Sequence, residues 1–193
     1  EMFRHIELEL FVQRHQLPPA MAYLRKALEA AGDSKTERSD DAPSPPSATL
    51  PFQDGDGKSI RYCHHYPICI RKVLPDDTLI SMSSNAQGNA GEASHPSYNG
   101  STMCDDAWYA ITLTNYDRGE RRRRFEAFAS CLAKAMMQQF GARPHWGKLC
   151  PLSAEELQGA YPAFDRFRQV CDGVDPTGAF RNPWTAQLLQ TKP

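Results

Sequence analysis

Long hydrophobic runs and an excess of charge of either sign are both missing from this 193-residue sequence. No apolar stretch approaches the roughly 20 residues that a membrane-spanning helix needs. With 22 Lys and Arg residues against 23 Asp and Glu residues, the chain gives no electrostatic reason to expect nucleic acid or an anionic membrane as its main partner. A hydrophobic fraction of 40% and a charged fraction of 23% are typical of an ordinary globular domain.

Sequence motifs for a nucleotide phosphate or a structural metal are missing too. The chain has no GxGxxG sequence, no P-loop and no glycine-rich strand-to-helix turn that could cradle a pyrophosphate. Cys63, His64 and His65 with Cys69 could suggest a metal, but neighbouring residues of a strand point to opposite faces, and no second ligand pair follows at zinc-finger spacing. The six cysteines form no CxxC pair. We therefore predict no metal site, and reduced, mostly buried thiols in a cytosolic or mitochondrial-matrix protein.

Two long polar segments, at about 33–59 and 83–105, interrupt the chain. Both hold few apolar residues, so they cannot bury enough surface to offset the entropy lost on ordering them. We predict that they are insertions with few contacts to the rest of a single domain spanning residues 1–193. The opening sequence EMFRHIELEL has glutamates where a signal peptide would be apolar. It resembles a strand already under way, so we expect the chain to begin within a longer protein or assembly.

Hydrophobic periodicity predicts an α+β domain, in which an antiparallel sheet has helices packed on one face. Ile6, Leu8 and Leu10 alternate with charged residues, which predicts a half-buried strand over residues 3–12. Apolar residues at helical spacing, with proline at the start and glycine at the end, predict a helix over residues 19–31. The other predicted elements are strands over residues 62–73, 79–82 and 108–114 and a helix over residues 119–140.

Chemically reactive side chains are most concentrated just after the second helix, in Arg143-Pro144-His145-Trp146-Gly147-Lys148. This short turn holds a guanidinium, an imidazole, an indole and an ammonium group. One interpretation is a helix C-cap with a buried tryptophan, and the other is a functional site. We favour a site because so many different reactive groups stand together.

Residues 140–148 resemble the signature of the aldonolactone oxidases, a family of FAD-linked flavoenzymes of the vanillyl-alcohol-oxidase type. The likeness extends to four further segments: Tyr161-Pro162-Ala163-Phe164 with Phe167 (the family's YP.f..F helix), residues 175–182 (its DP.G.F.N terminus), residues 68–81 (its EiR...D..lS strand pair) and residues 109–114 (a further core strand). It covers most of the chain outside the two polar segments.

The resemblance implies the cap domain of a two-domain flavoenzyme, with FAD held mainly by a domain that is absent from this chain. Its catalytic residues would be Arg71, Lys148 and Thr114, and His145 and Lys148 would lie at the cofactor. Cys69 stands where the family has a glutamate, two residues before the arginine, and a thiol with a reference pKa of about 8.5 is mostly neutral at pH 7. We therefore expect Arg71 to lack its usual counter-charge, and turnover to be weakened.

Two functions follow from this resemblance. The first is the substrate side of an FAD-dependent oxidoreductase, which passes a hydride from an alcohol group of a sugar 1,4-lactone or alditol to flavin, as in ascorbate-type biosynthesis. Its partners would be an FAD-binding domain or chain and the sugar substrate. The alternative is a diverged structural subunit of a larger assembly, such as a mitochondrial respiratory complex. Family analogy favours a mitochondrial location, at the inner membrane or in the matrix, over a cytoplasmic one.

Overall fold

The computed structural model describes residues 4–32, 60–86 and 107–189 of the chain. These residues form a four-stranded antiparallel sheet with the strand order β2-β3-β1-β4. The strands are β1 (His5–Gln13), β2 (Cys69–Val73), β3 (Trp108–Tyr116) and β4 (Arg143–Pro144); the helices are α1 (Leu17–Gly32), α2 (Gly119–Phe140), α3 (Ala154–Ala160), α4 (Phe164–Val174) and α5 (Pro183–Leu189). No helix within the described ranges has the length and apolar content to cross a bilayer.

The two faces of the sheet differ because β1 alternates apolar and polar residues. Leu8, Leu10 and Val12 are fully buried in the main core together with residues of α1 and α2. Glu7 and Glu9 alternate with these apolar residues and therefore point to the opposite face. The prediction of an antiparallel sheet with helices on one face is confirmed.

Helices α1 and α2 cover the apolar face as their spacing predicts. In α1 the buried residues recur every three or four positions, at Ala20, Leu24, Ala27 and Ala31. The longer α2 buries an aromatic and aliphatic stripe, made of Phe125, Phe128, Leu132 and Met136. Gly141 ends α2 in the left-handed conformation (φ 63°), and its N–H donates to carbonyl groups of the last turn, as glycine C-caps commonly do.

The predicted strand over residues 62–73 is wrong in its first part, because only Cys69–Val73 pairs with β3. The Tyr62 N–H donates to the carbonyl of Ala31 at 3.1 Å, so the backbone here closes the end of α1 instead of extending the sheet. The Tyr62 ring is buried and stacks on Phe128, with 4.6 Å between the ring centroids. Core packing of one aromatic side chain therefore takes the segment out of the sheet.

The predicted strand over residues 79–82 is also wrong, since this segment forms bends and turns. The Asp76 carboxylate organises it by accepting hydrogen bonds from the Thr78 N–H (3.0 Å) and from the hydroxyls of Thr78 (2.6 Å), Ser81 (2.6 Å) and Ser83 (3.2 Å). Short polar side chains compete in this way with strand pairing. The predicted polar insertion at 33–59 and residues 87–105 of the second one lie outside the described residues.

The prediction of mostly buried cysteines is wrong for the cysteines that the structure describes. Cys63 and Cys69 are exposed, while Cys131, Cys150 and Cys171 are half-buried, and all five are free thiols. Cys69 is exposed because it points to the face of the sheet that the helices leave open, and Cys63 lies in the segment that leaves the sheet. In the described part of the chain, no group of three or more His, Cys, Asp or Glu residues is placed to hold a metal ion.

Candidate active site

The open face of the sheet carries a row of polar side chains brought together by strand register. Glu9 of β1 lies opposite Thr112 of β3, which lies opposite Cys69 of β2. Two residues further along each strand, Glu7 lies opposite Thr114. Directly paired residues of an antiparallel sheet point to the same face, so all five side chains share the open face. Three separated parts of the sequence therefore contribute to one surface.

Glu9 is the buried centre of this surface, with a side chain that is only 1% exposed. Its carboxylate accepts a hydrogen bond from Arg71 Nη2 at 2.5 Å and another from Lys148 Nζ. Burial acts to raise the pKa of Glu9, but the hydrogen bond and charge of Lys148 and the charge of Arg71 hold that pKa below its ordinary value. A buried carboxylate would cost several kcal/mol without such partners, so the two cations are needed to keep it charged.

Glu7 is the more accessible carboxylate, with a side chain that is 26% exposed. It pairs with Lys148 Nζ at 2.8 Å and accepts a hydrogen bond from Thr114 Oγ1 at 3.2 Å. The Lys148 hydrogen bond holds the pKa of Glu7 below its ordinary value. Burial acts to lower the pKa of Lys148, but the hydrogen bonds and charges of Glu7 and Glu9 raise it above its ordinary value. The three groups therefore stay charged across the neutral range.

Lys148 reaches this surface because the turn after β4 follows the edge of β1. The His145 N–H donates to the carbonyl of Glu9 at 2.9 Å, and the Leu149 N–H donates to the carbonyl of Glu7 at 2.9 Å. The Gly147 N–H donates to Nδ1 of His145 at 3.0 Å. Because Nδ1 is an acceptor, the neutral imidazole carries its proton on Nε2 and presents a hydrogen-bond donor there.

Arg143, the first cation of the turn, has a structural role. Its guanidinium is buried between the rings of Trp108 and Tyr161, 4.5 and 4.7 Å from their centroids. Its Nε donates to the carbonyl of Ala160 at 2.9 Å and its Nη1 donates to the carbonyl of Ser84 at 2.6 Å. These contacts tie the loop after β2 to the end of α3. Arg143 is paired with Phe11 and so points to the same face as Glu9, but its guanidinium is buried there and supports the turn.

Trp146 also supports the turn. Its indole N–H donates to the carbonyl of Ile80 at 2.8 Å, and its ring packs on Tyr161 at 5.2 Å between centroids. The packing of Arg143 and Trp146 agrees with the interpretation of the turn as a packed helix end. Lys148, by contrast, extends onto the open face of the sheet.

The expectation that Arg71 lacks a counter-charge is wrong, because Glu9 provides one from another strand. Cys69 does lie on the same face as Arg71, and it is exposed. Sequence reasoning missed Glu7 and Glu9 as members of the site. A signal was present: two glutamates two residues apart in an otherwise apolar strand place two carboxylates on one face.

The acid and base limits of stability should reflect this ion-pair cluster. The lowered pKa values of Glu7 and Glu9 mean that their contribution is complete above the ordinary value of 4.5 and is lost as the pH falls through their folded values. The raised pKa of Lys148 means that its contribution is complete below 10.5 and is lost as the pH rises through its folded value. We expect the free energy of unfolding in urea to be nearly flat from about pH 6 to 9 and to fall on both sides.

Glu9→Gln should lose less unfolding free energy than the wild type between about pH 6 and pH 3, because it has one fewer carboxylate to protonate. Glu29→Gln, an exposed change on α1, is the matched control and should follow the wild-type curve. Equal acid slopes for Glu9→Gln and the wild type would show that the Glu9 ion pairs do not contribute.

Comparison with known proteins identifies the family of this chain. The family model described as D-arabinono-1,4-lactone oxidase matches residues 1–188. This chain belongs to the D-arabinono-1,4-lactone oxidase family. The match includes all four strands and the turn that carries Lys148.

Relatives of this family differ in their named substrates. The chain is 44% identical over 191 residues to a long-chain alcohol oxidase of an uncultured marine euryarchaeote, which covers 98% of the chain and 36% of that protein. It is 37% identical over 124 residues to an L-gulono-1,4-lactone dehydrogenase of Mycobacterium tuberculosis, covering 64% of the chain and 23% of the relative. It is 27% identical over 125 residues to the L-gulonolactone oxidase of Mus musculus, covering 65% of the chain and 24% of the relative. The chain thus spans about a third or less of the length of these curated relatives.

Proposed function

We propose that this chain forms the substrate side of an FAD-dependent oxidoreductase that oxidises an alcohol group of a sugar 1,4-lactone or alditol. The observation that carries the proposal is the pairing of Arg71 and Lys148 around one buried carboxylate on an open sheet face. Enzymes of the D-arabinono-1,4-lactone oxidase family are FAD-linked. Because the chain has no sequence motif for the pyrophosphate, FAD would be held mainly by a separate domain or chain.

The donor set on the open face fits the neighbourhood of a flavin. Lys148 supplies a fixed positive charge and His145 a hydrogen-bond donor at Nε2, and these two residues would contact the cofactor. The bound flavin would accept a hydride from the substrate carbon. Fixed cations favour the negative charge that develops in such a reaction, most strongly where water is excluded.

The remaining groups suit the binding and deprotonation of an alcohol. Arg71 pairs with Glu9 yet is 61% exposed, so its guanidinium can also donate to a hydroxyl or lactone oxygen of the substrate. Glu7 is the accessible carboxylate and would accept the hydroxyl proton at a carboxylate oxygen, with Thr114 orienting it. Loss of the proton from oxygen and of the hydride from carbon leaves the carbonyl product.

A long-chain alcohol is a second candidate substrate, because of the relative that is 44% identical over nearly the whole chain. An open apolar cavity of about 590 Å³ lies beside the Lys148 turn. It is lined by residues that include Ile80, Trp146, Phe167, Cys171, Trp184 and Leu188. Exposed apolar walls of this kind favour an alkyl chain over a polyol.

A mitochondrial site, on the inner membrane or in the matrix, is the location that family analogy favours. The comparisons give no support to a purely structural subunit. The paired charges on the open face favour an enzyme over such a subunit.

Anaerobic flavin reduction tests the proposal. The protein to use is the holoenzyme, meaning this chain together with its FAD-binding domain and FAD. It is mixed with galactono-, gulono- or arabinono-1,4-lactone, with an alditol, or with a long-chain primary alcohol, and loss of the oxidised-flavin absorbance is followed. We expect reduction by the lactones or alditols, and saturation with substrate concentration. Reduction by the long-chain alcohol alone would favour the second candidate, and a bound flavin that no alcohol reduces would contradict both.

A further inference from the structure

We propose that Glu9 is a positioning residue, whose buried carboxylate holds the Arg71 guanidinium and the Lys148 ammonium at one fixed spacing on the open face. This inference rests on the proposed function and adds a residue that acts only through its two partners. Arg71 and Lys148 come from β2 and from the turn after β4, which lie at opposite edges of the sheet. Glu9 of β1 contacts both side chains.

The geometry favours positioning over direct contact with substrate. Glu9 is 1% exposed, and both of its carboxylate oxygens are occupied, Oε1 by Arg71 and Oε2 by Lys148. A carboxylate that is buried, with a cation on each oxygen, is not accessible to a substrate proton. It can instead fix the rotamers of two long side chains. Its hydrogen bonds and charge offset the considerable side-chain entropy that Arg71 and Lys148 lose when they are ordered.

The neighbouring acidic and thiol groups do not duplicate this contact. Glu7 contacts Lys148 and Thr114, whereas Arg71 contacts Glu9. Cys69 shares the row of Glu9 but is separated from it by Thr112 of the intervening strand. A spacing of about 4.8 Å between adjacent strands puts the Cys69 and Glu9 backbones roughly 10 Å apart. Glu9 is therefore the group that links the two cations.

The test uses Glu9→Gln and Glu9→Asp in the holoenzyme, with Glu29→Gln as the exposed control. Glutamine removes the charge and one acceptor, so Lys148 should be acetylated by acetic anhydride at a lower pH than in the wild type. Flavin reduction should slow by about 10- to 100-fold, as expected when reacting groups are misplaced by about 1 Å. Aspartate keeps the charge but withdraws the carboxylate by one methylene. It should restore the pH dependence of Lys148 acetylation, measured by peptide mass spectrometry, while flavin reduction stays slow.

Glu9→Asp with wild-type flavin reduction would overturn positioning and leave charge alone as the role of Glu9. Unchanged Lys148 acetylation in Glu9→Gln would overturn the link between Glu9 and Lys148, even if reduction slows. Circular dichroism checks that the variants are folded, and the aspartate variant keeps the test decisive if the glutamine variant unfolds. If none of the alcohols reduces the flavin of the wild-type holoenzyme, the proposed function fails. The acetylation measurement still tests the contact between Glu9 and Lys148 in that case.

Discussion

Replacement of Lys148 by methionine should slow flavin reduction in the holoenzyme by about 10²- to 10³-fold, the cost of removing one preorganised electrostatic donor. Methionine keeps much of the length of the side chain but removes the ammonium group that contacts Glu7 and Glu9. The substrate would then lose the fixed positive charge beside its developing alkoxide. Stopped-flow reduction at saturating substrate measures this step directly.

Lys26→Met is the matched control for that experiment. Lys26 is an exposed lysine of α1, on the side of the sheet opposite the open face. Its replacement should leave the reduction rate within twofold of the wild type, roughly the scatter expected of surface changes. Comparable slowing in both variants, or no slowing in Lys148→Met, would contradict the assignment of Lys148.

Replacement of Phe128 by alanine should lower the free energy of unfolding by about 3–5 kcal/mol, the usual cost of truncating a buried phenylalanine. Phe128 is fully buried on α2 and stacks on Tyr62, the residue that takes its segment out of the sheet. The change leaves a cavity between α2 and the segment that leads to β2. Urea denaturation followed by far-UV circular dichroism measures the loss.

Phe180→Ala provides the comparison for the core change. Phe180 is 89% exposed, so its truncation removes little buried surface. We expect a change of about 0.5 kcal/mol or less for it in the same urea titration. A loss at Phe128 as small as this would show that α2 does not pack on the Tyr62 segment as described.

Much of the fold was predictable because its main elements carry strong periodic signals. The alternation in β1 and the spaced apolar residues of α1 and α2 each follow from one short segment read alone. The segment around Tyr62 and the loop held by Asp76 were not predictable in this way. Their structures depend on a distant aromatic contact with Phe128 and on side-chain hydrogen bonds that compete with strand pairing.

The site was predictable only in part. Resemblance to a family drew attention to Arg71, Thr114 and Lys148, and the structure brings these residues to one face of the sheet. Glu9 was overlooked because a glutamate in an amphipathic strand is ordinarily a solvated residue. Its burial arises from the turn after β4, which covers it with Lys148. Only the packed structure shows that Arg143, the other cation of this turn, is buried between Trp108 and Tyr161.

A crystal structure of the holoenzyme with FAD and a bound substrate or product tests the central claim most directly. We expect the ligand to lie on the open face of the sheet, with oxygen atoms within hydrogen-bond distance of Arg71 and Lys148, and with Glu9 still buried beneath both cations. A ligand that leaves Arg71 and Lys148 untouched, for example one bound wholly within the cavity beside Trp146 and Trp184, would contradict it.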